Sequence, residues 1–267
     1  MAGTFILYHY SPTVAGAFIF FFLFTTITLV HAIQLYRIRA WFMLPVIVGG
    51  ICKIFSLRWL LITSLIHYIV ELTAYIFRSI SHSSPQSLGP FIIQSVLALV
   101  APALFAATIY MALGRIIRLL HAEHHSIIGV SKLTKVFVIF DILVFLIQSA
   151  GAAFQAGKSK SAIHLGQVQV LVALFLQIII FGLFVAVAAI FQRRITSQPT
   201  QQSQGPLPWK RHMLGLYLAS GLIVLRNIIR IVEYVQGHDG YINHHEWYLY
   251  VFDAVPMFGV MVVMAVI

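Results

Sequence analysis

The sequence contains few charged residues, and this scarcity excludes a water-soluble domain. Only 9% of its 267 residues are charged, 60% are hydrophobic, and the mean hydropathy is +0.94. A soluble domain has about 25% charged residues because its surface faces water. The bilayer must therefore be the main solvent of this chain. A single membrane domain over residues 1–267 uses nearly the whole length.

Cysteine and several catalytic motifs are also missing or nearly so. Cys52 is alone, so no intramolecular disulfide is possible and a thiolate metal site is not expected. No Gly-rich phosphate loop or nucleophile motif occurs, which argues against an ATP-driven pump within this chain. The first apolar run lacks a basic segment before it and a small-residue cleavage site after it, so it is predicted to be a helix rather than a signal peptide. We expect no enzyme activity and no cofactor.

Long apolar runs predict an all-α bundle of seven transmembrane helices. About 20 apolar residues span the bilayer core, and none of the runs alternates as a barrel strand would. The predicted spans are residues 13–36, 41–77, 90–113, 133–154, 165–191, 213–235 and 246–267. The second run is too long for one ordinary span. Residues 196–208, rich in Gln, Ser and Pro, are predicted to form a flexible linker.

The distribution of Lys and Arg predicts the orientation of the bundle. Although the net charge is +10, the basic residues lie in short loops beside apolar runs, so nucleic-acid binding is not indicated. With seven spans, one side holds Arg37, Arg39, Arg115, Arg118, Lys132, Lys135, Arg193, Arg194, Lys210 and Arg211. The other side holds Arg78, Lys158 and Lys160. The richer side is cytoplasmic, so the N-terminus is expected outside and the C-terminus inside.

Several ionisable residues interrupt the predicted spans, although each costs about 2.5–3.5 kcal/mol at mid-membrane. Arg226, Arg230 and Glu233 are spaced to share one helix face, which is expected to point into the bundle. Carboxylates on other predicted helices are available as partners, namely Glu71, Asp141 and Asp253, and Gln94, Gln148 and Gln177 can add interhelical hydrogen bonds. Two interpretations remain: a structural salt-bridge network, or the lining of a polar pathway or head-group site.

Histidines form two further clusters. His244, His245 and Glu246 lie at the start of the seventh span, where they suggest a polar cap or, with other histidines or Asp253, a zinc site for hydrolysis. Their spacing matches no strong metal motif, so no metal is expected. His121, His124 and His125 flank Glu123 in a predicted inside loop and are expected to be solvated.

One stretch has a distinctive motif. Residues 226–240 have the sequence RNIIRIVEYVQGHDG, and His245-Glu246 and Tyr250-Val-Phe-Asp253 follow them. This motif resembles the fungal lipid-translocating exporter family, the RTA-like seven-helix proteins named for resistance to aminocholesterol. Ala101-Pro102 and Phe137-Val-x-x-Asp141 also match, and the resemblance covers nearly the whole chain.

The resemblance implies a plasma-membrane protein with seven helices and an external N-terminus, linked to export or flipping of lipids. Sphingoid long-chain bases and resistance to lipid-like toxicants are associated with the family. We therefore expect membrane lipids and an amphipathic small molecule as partners, while the oligomeric state stays open. The alternatives are a seven-helix receptor or sensor of lipids or membrane stress, and a metal-dependent intramembrane lipid hydrolase.

A polar groove that holds the lipid head group is the mechanism we expect. Its predicted members are Glu71, Asp141, Gln148, Arg226, Arg230, Glu233, Tyr234, His245, Glu246 and Asp253. A cationic sphingoid amine would bind the carboxylates, whereas a phosphate would bind the arginines. The groove holds both signs, so the sequence does not choose between these head groups.

The sequence departs from the family in two places. Residues 53–70 separate a Gly-Gly segment from the Glu71-x-x-x-Tyr75-x-x-Arg78 motif that directly follows it in the family. We hypothesise that this stretch is a retained intron; the alternative is a real insertion that forms an extra turn or re-entrant segment. The chain also stops at Ile267, where family members usually continue into a cytoplasmic tail.

Overall fold

The computed structural model describes residues 14–37, 88–155, 159–205, 208–236 and 246–266, and all regular structure in these ranges is helical, as predicted. The helices are α1 (Val14–Arg37), α2 (Leu88–Leu119), α3 (Val130–Gln155), α4 (Lys160–Ser197), α5 (Trp209–Gln236), α6 (Glu246–Leu249) and α7 (Val255–Val266). A π-helical turn, Tyr250–Ala254, joins α6 to α7. Short 3-10 turns occupy Glu123–His125 and Gln202–Gln204.

Helices α2 to α5 correspond to the third to sixth predicted spans but are longer than predicted. Helix α2 continues through Arg118, and α4 continues through Arg193 and Arg194. With 38 residues, α4 is about 57 Å long, whereas the bilayer core is about 30 Å thick. Arginines at the boundary mark where the helix leaves the core, but they do not end it, because their side chains can extend into water.

The described residues include four helices that are long and apolar enough to cross a membrane. They are Pro102–Leu119, Val130–Gln155, Ser161–Ser197 and Trp209–Gln236, and two shorter apolar helices occupy Ile19–Val30 and Tyr250–Val266. Large apolar side chains such as Ile139, Leu146 and Ile179 are exposed on these helices. Such faces need lipid around them. The chain is therefore a multi-pass membrane protein.

Part of the prediction lies outside the described residues. The second predicted span, residues 41–77, lies there with Cys52 and Glu71, and so does the 53–70 stretch. The retained-intron hypothesis therefore stays a prediction. Sequencing the mature transcript across these codons tests it, because a message that contains them contradicts the hypothesis.

Packing places α2, α3, α4 and α5 together, with α7 between α5 and α1. Helix α3 packs against α2 and α4, and α5 packs against α2, α4 and α7. Small residues let α3 and α4 approach closely: a Cβ on Gly166 would lie 2.5 Å from the carbonyl oxygen of Gly151. This contact fixes how α3 and α4 face each other.

The loops at the α2–α3 and α4–α5 connections are bonded to each other. Thr200 donates from its hydroxyl to the carbonyl of Leu120 at 2.8 Å, and the Trp209 indole donates to the carbonyl of Ser203 at 3.0 Å. The described part of residues 196–208 thus differs from the flexible linker that composition predicts. Residue His125, expected to be solvated, is 5% exposed, and Arg194 donates to its carbonyl at 3.3 Å.

Candidate functional site: a buried ion-pair cluster

The predicted polar face of α5 is present in the structure. Arg230 donates from Nη1 to the two carboxylate oxygens of Glu233 at 3.0 and 3.3 Å, one helical turn away. Arg226 lies one turn in the other direction and its side chain is 4% exposed. Since a buried guanidinium is costly in lipid, this face needs anions from a second helix.

Asp253 supplies the second anion. Its Oδ1 lies 2.6 Å from Nε of Arg226 and 3.4 Å from Nη2 of Arg230. Asp253 therefore connects the seventh predicted span to both arginines of α5. We call Arg226, Arg230, Glu233 and Asp253 the ion-pair cluster. It holds two positive and two negative formal charges, so its members neutralise one another.

A π-helical turn positions Asp253. The sequence predicts one continuous helix over residues 246–267, but the structure interrupts it with the π-helical turn Tyr250–Ala254. Pro256 provides the physical reason, because it has no N–H for the carbonyl of Phe252 and its ring would clash there in a regular α-helix. Such turns often occur at functional sites. The signal was present in the sequence as a proline three residues after Asp253.

Exposure increases along the cluster toward the C-terminal end of α5. Arg226 lies about 15 Å from that end and Glu233 about 4.5 Å, at 1.5 Å per residue. The exposed fraction of the side chain is 4% at Arg226, 16% at Arg230 and 23% at Glu233. The cluster thus extends from an accessible end into the bundle, and a ligand arriving from that end meets Glu233 and Arg230 first.

Arg230 is the shared member of the cluster, since it contacts both Glu233 and Asp253. A cationic ligand that takes Glu233 leaves Arg230 beside Asp253. An anionic ligand that takes Arg230 leaves Asp253 beside Arg226. In the first exchange Arg230 keeps Asp253 as its partner. In the second exchange the residue that loses its partner is Glu233, the most exposed member of the cluster. Neither ligand therefore leaves a deeply buried charge without a partner.

The remaining predicted residues with described side chains are not members of the ion-pair cluster. Tyr234 lies beside the cluster, where its phenol is near the charges of Arg230 and Glu233 and near the side chain of Gln155 at the end of α3. Gln148 donates to Gln177 at 3.0 Å across the α3–α4 interface. Within the described part of the chain, no arginine lies within ion-pair distance of Asp141.

Three other predicted members have no described side chain. Glu71 and His245 lie outside the described residues, and Glu246 begins α6. The structure therefore brings together Arg226, Arg230, Glu233 and Asp253, and it places Asp141 and Gln148 in a separate group on α3. Tyr110 on α2 also belongs to that second group. It matches the family in sequence, but it was not among the predicted groove residues, because an isolated Tyr in an apolar run gives no signal of what it faces.

The zinc interpretation rests on residues that the structure does not describe. His244 and His245 lie outside the described residues, and His164 is exposed. Among the residues that the structure does describe, no group of three or more His, Cys, Asp or Glu side chains is close enough to hold a metal ion.

Comparisons with known proteins agree with the resemblance found in the motif. The family model "RTA1 like protein" matches residues 64–267. Proteins of Saccharomyces cerevisiae are among those to which the chain is similar. It is 37% identical to Protoporphyrin uptake protein 1, over 98% of this chain and 91% of that protein. No solved structure matches the chain.

Two further relatives, also of Saccharomyces cerevisiae, are matched over a smaller part of their length. Protein RTA1 is 41% identical over 71% of this chain and 59% of its own length. Sphingoid long-chain base transporter RSB1 is 22% identical over 85% of this chain and 64% of its own length. The matched region thus spans less than two thirds of either protein.

Proposed function

The chain belongs to the RTA1-like family, and from that premise we propose that it moves amphipathic, lipid-like molecules across a membrane. Sphingoid long-chain bases are the first candidate substrates, because a relative is named as their transporter. We place this activity at the plasma membrane. The observation that supports the proposal is the ion-pair cluster, which is neutral as a whole and increasingly accessible toward one end of α5.

The cluster suggests how a charged head group crosses the bundle while the hydrocarbon tail stays in lipid. The ammonium group of a sphingoid base first competes with Arg230 for Glu233, the most exposed member. Arg230 then keeps Asp253 as its partner at 3.4 Å. The Glu233 carboxylate then takes the place of the water that the ammonium group leaves. This contact lowers the free-energy cost of moving the charged group into the bilayer.

Efflux of a labelled sphingoid long-chain base from cells tests this proposal. Cells that carry the protein should release the base faster than cells without it, and Glu233→Gln should abolish the gain while surface expression stays intact. Glu123→Gln is the matched control, since it makes the same chemical change at an exposed residue outside the cluster. Equal efflux in Glu233→Gln and Glu123→Gln would contradict a role for the cluster.

The sensor alternative makes a different prediction in the same experiment. If the protein is a sensor, it should reach the cell surface, but cells that carry it should release the base no faster than cells without it. Co-purification of a signalling partner would then favour a receptor for lipids or membrane stress.

A second candidate substrate follows from the relative named Protoporphyrin uptake protein 1, which matches over most of both chains. Protoporphyrin is an amphipathic dicarboxylate, and Arg226 and Arg230 present two guanidinium groups on one helix face. Guanidinium groups bind carboxylates with paired hydrogen bonds. Uptake of the fluorescent porphyrin by cells is expected to fall in Arg230→Gln and to persist in Arg211→Gln, an exposed control on the same helix. Equal uptake in both variants would contradict this candidate.

We also propose the topology of seven spans with the N-terminus outside. Because Cys52 is the single cysteine, Cys52→Ser gives a background without thiols. Ser159→Cys, before α4, should then react with a membrane-impermeant maleimide on intact cells, whereas Ser197→Cys, at the end of α4, should react only after permeabilisation. Labelling of Ser197→Cys on intact cells, with Ser159→Cys labelled only after permeabilisation, would show the opposite orientation.

A further inference from the structure

A second buried polar group lies apart from the ion-pair cluster. Asp141 on α3 is 4% exposed, and Tyr110 on α2 is fully buried. The phenol of Tyr110 lies close enough to interact with the Asp141 carboxylate. Neither carboxylate oxygen nor the phenol oxygen has a hydrogen bond of good geometry within the described part of the chain.

The surroundings of this pair are apolar. The ring of Tyr110 lies 5.3, 5.9 and 4.5 Å from those of Phe137, Phe181 and Phe184, measured between centroids. These rings are themselves buried, so they leave no room for a lipid head group. A ligand for Asp141 must therefore be very small.

The helices packed against α3 offer Asp141 no described counter-ion. Helix α4 has no ionisable residue between His164 and Arg193. On α2 the group that faces Asp141 is Tyr110, and Arg115 lies more than one turn further along. The nearest basic residue on α3 itself is Lys135, nearly two turns away and exposed.

We propose that Asp141 is a proton-binding site that couples substrate movement to a proton gradient, with the neighbouring Tyr110 phenol as the acceptor for its protonated form. An ionised carboxylate without a cation is costly in a medium of low dielectric constant. When a proton binds, the carboxylate becomes a neutral acid whose O–H donates to the phenol oxygen. Release of the proton reverses this step. Carboxyl groups inside the membrane commonly serve such relays.

Helix α3 connects this site to the ion-pair cluster. Asp141 lies about 21 Å from the C-terminal end of α3, at 1.5 Å per residue. That end carries Gln155, whose side chain lies near Tyr234, the neighbour of Glu233 on α5. A shift of α3 against α2 on protonation would therefore reach the accessible end of the cluster. This coupling rests on the proposed transport function, whereas proton binding does not.

Infrared spectroscopy of the purified full chain in nanodiscs tests proton binding directly. A pH titration should show a carboxylic-acid carbonyl band that Asp141→Asn removes and Glu123→Gln leaves in place. Tyr110→Phe should keep the band but shift its frequency, because it removes the hydrogen-bond partner. A full set of bands in Asp141→Asn would overturn the assignment. A titration midpoint that moves when sodium replaces potassium would show a metal-cation site instead, and would also overturn it.

Transport in proteoliposomes tests the coupling. With an imposed pH gradient, the initial rate of the unmodified protein should differ from the rate without one, and Asp141→Asn should lose this difference. Transport that ignores the gradient in the unmodified protein overturns the coupling. If the protein moves no substrate under either condition, the proposed function fails, and the infrared titration still decides whether Asp141 binds a proton.

Discussion

Substitution of Asp253 tests whether one carboxylate holds both arginines of α5. Asp253 lies 2.6 Å from Arg226 and 3.4 Å from Arg230, so Asp253→Asn removes the anion from two cations while keeping the side-chain size. Loss of one partner from a buried ion pair costs about 3–5 kcal/mol. Because 19% of the Asp253 side chain is exposed, we expect a loss near the lower limit, about 3 kcal/mol in the free energy of unfolding.

Glu233→Gln provides the comparison within the same cluster. Glu233 is the most exposed of the four side chains and pairs within one helix, where such pairs contribute about 0.5 kcal/mol. Arg230 also keeps Asp253 as a partner. Asp253→Asn should therefore destabilise the protein several times more than Glu233→Gln, although both remove one negative charge.

Denaturant unfolding of the purified protein, followed by circular dichroism, measures both effects. The double variant Arg226→Gln with Asp253→Asn should recover part of the loss, with a coupling energy of about 1–3 kcal/mol, since the two residues are in contact. Equal losses in Asp253→Asn and Glu233→Gln, or strictly additive effects in the double variant, would refute Asp253 as the shared anion.

Three further predictions concern the packing of the bundle and use the same unfolding assay. Gly166→Ala should destabilise the protein by about 1–3 kcal/mol, because the new Cβ would meet the backbone of α3. Gly182 faces open space, so Gly182→Ala should stabilise the protein by about 0.5–1 kcal/mol. Similar effects of the two variants would contradict the close approach of α3 and α4. His121 has a φ of 48°, a backbone conformation that favours glycine. His121→Gly should therefore stabilise the protein by about 1 kcal/mol, whereas His121→Ala should not. A gain in stability in both variants would exclude backbone strain as the cause. Gln148→Leu should cost about 1 kcal/mol by leaving Gln177 unbonded, and the Gln148→Leu/Gln177→Leu double variant should recover most of it; no recovery would argue against this hydrogen bond.

Hydropathy and helical periodicity predicted the parts of the fold that depend on one helix at a time. The apolar runs gave the helices α2 to α5, and the spacing of Arg226, Arg230 and Glu233 placed them on one face. Helix ends were less predictable, because boundary arginines mark the edge of the membrane core rather than the end of hydrogen bonding. The burial of His125 depends on contacts from α4, which no local pattern shows.

The candidate site was predictable in its residues but not in its grouping. Asp253 and Asp141 were equal candidates as partners for the arginines, since each is an acid in an apolar run. Pairing depends on which helices pack together and on the π-helical turn at residues 250–254, which directs Asp253 toward α5. The separation of Asp141 and its proximity to Tyr110 likewise come from the packing of α3 against α2.

The measurement that tests the central claim most directly is transport of a labelled sphingoid long-chain base by the purified full chain in proteoliposomes. We expect a saturable initial rate above that of empty liposomes, a large loss of this rate in Glu233→Gln, and an unchanged rate in Glu123→Gln. A rate equal to that of empty liposomes, or equal rates in the two variants, would contradict transport through the ion-pair cluster.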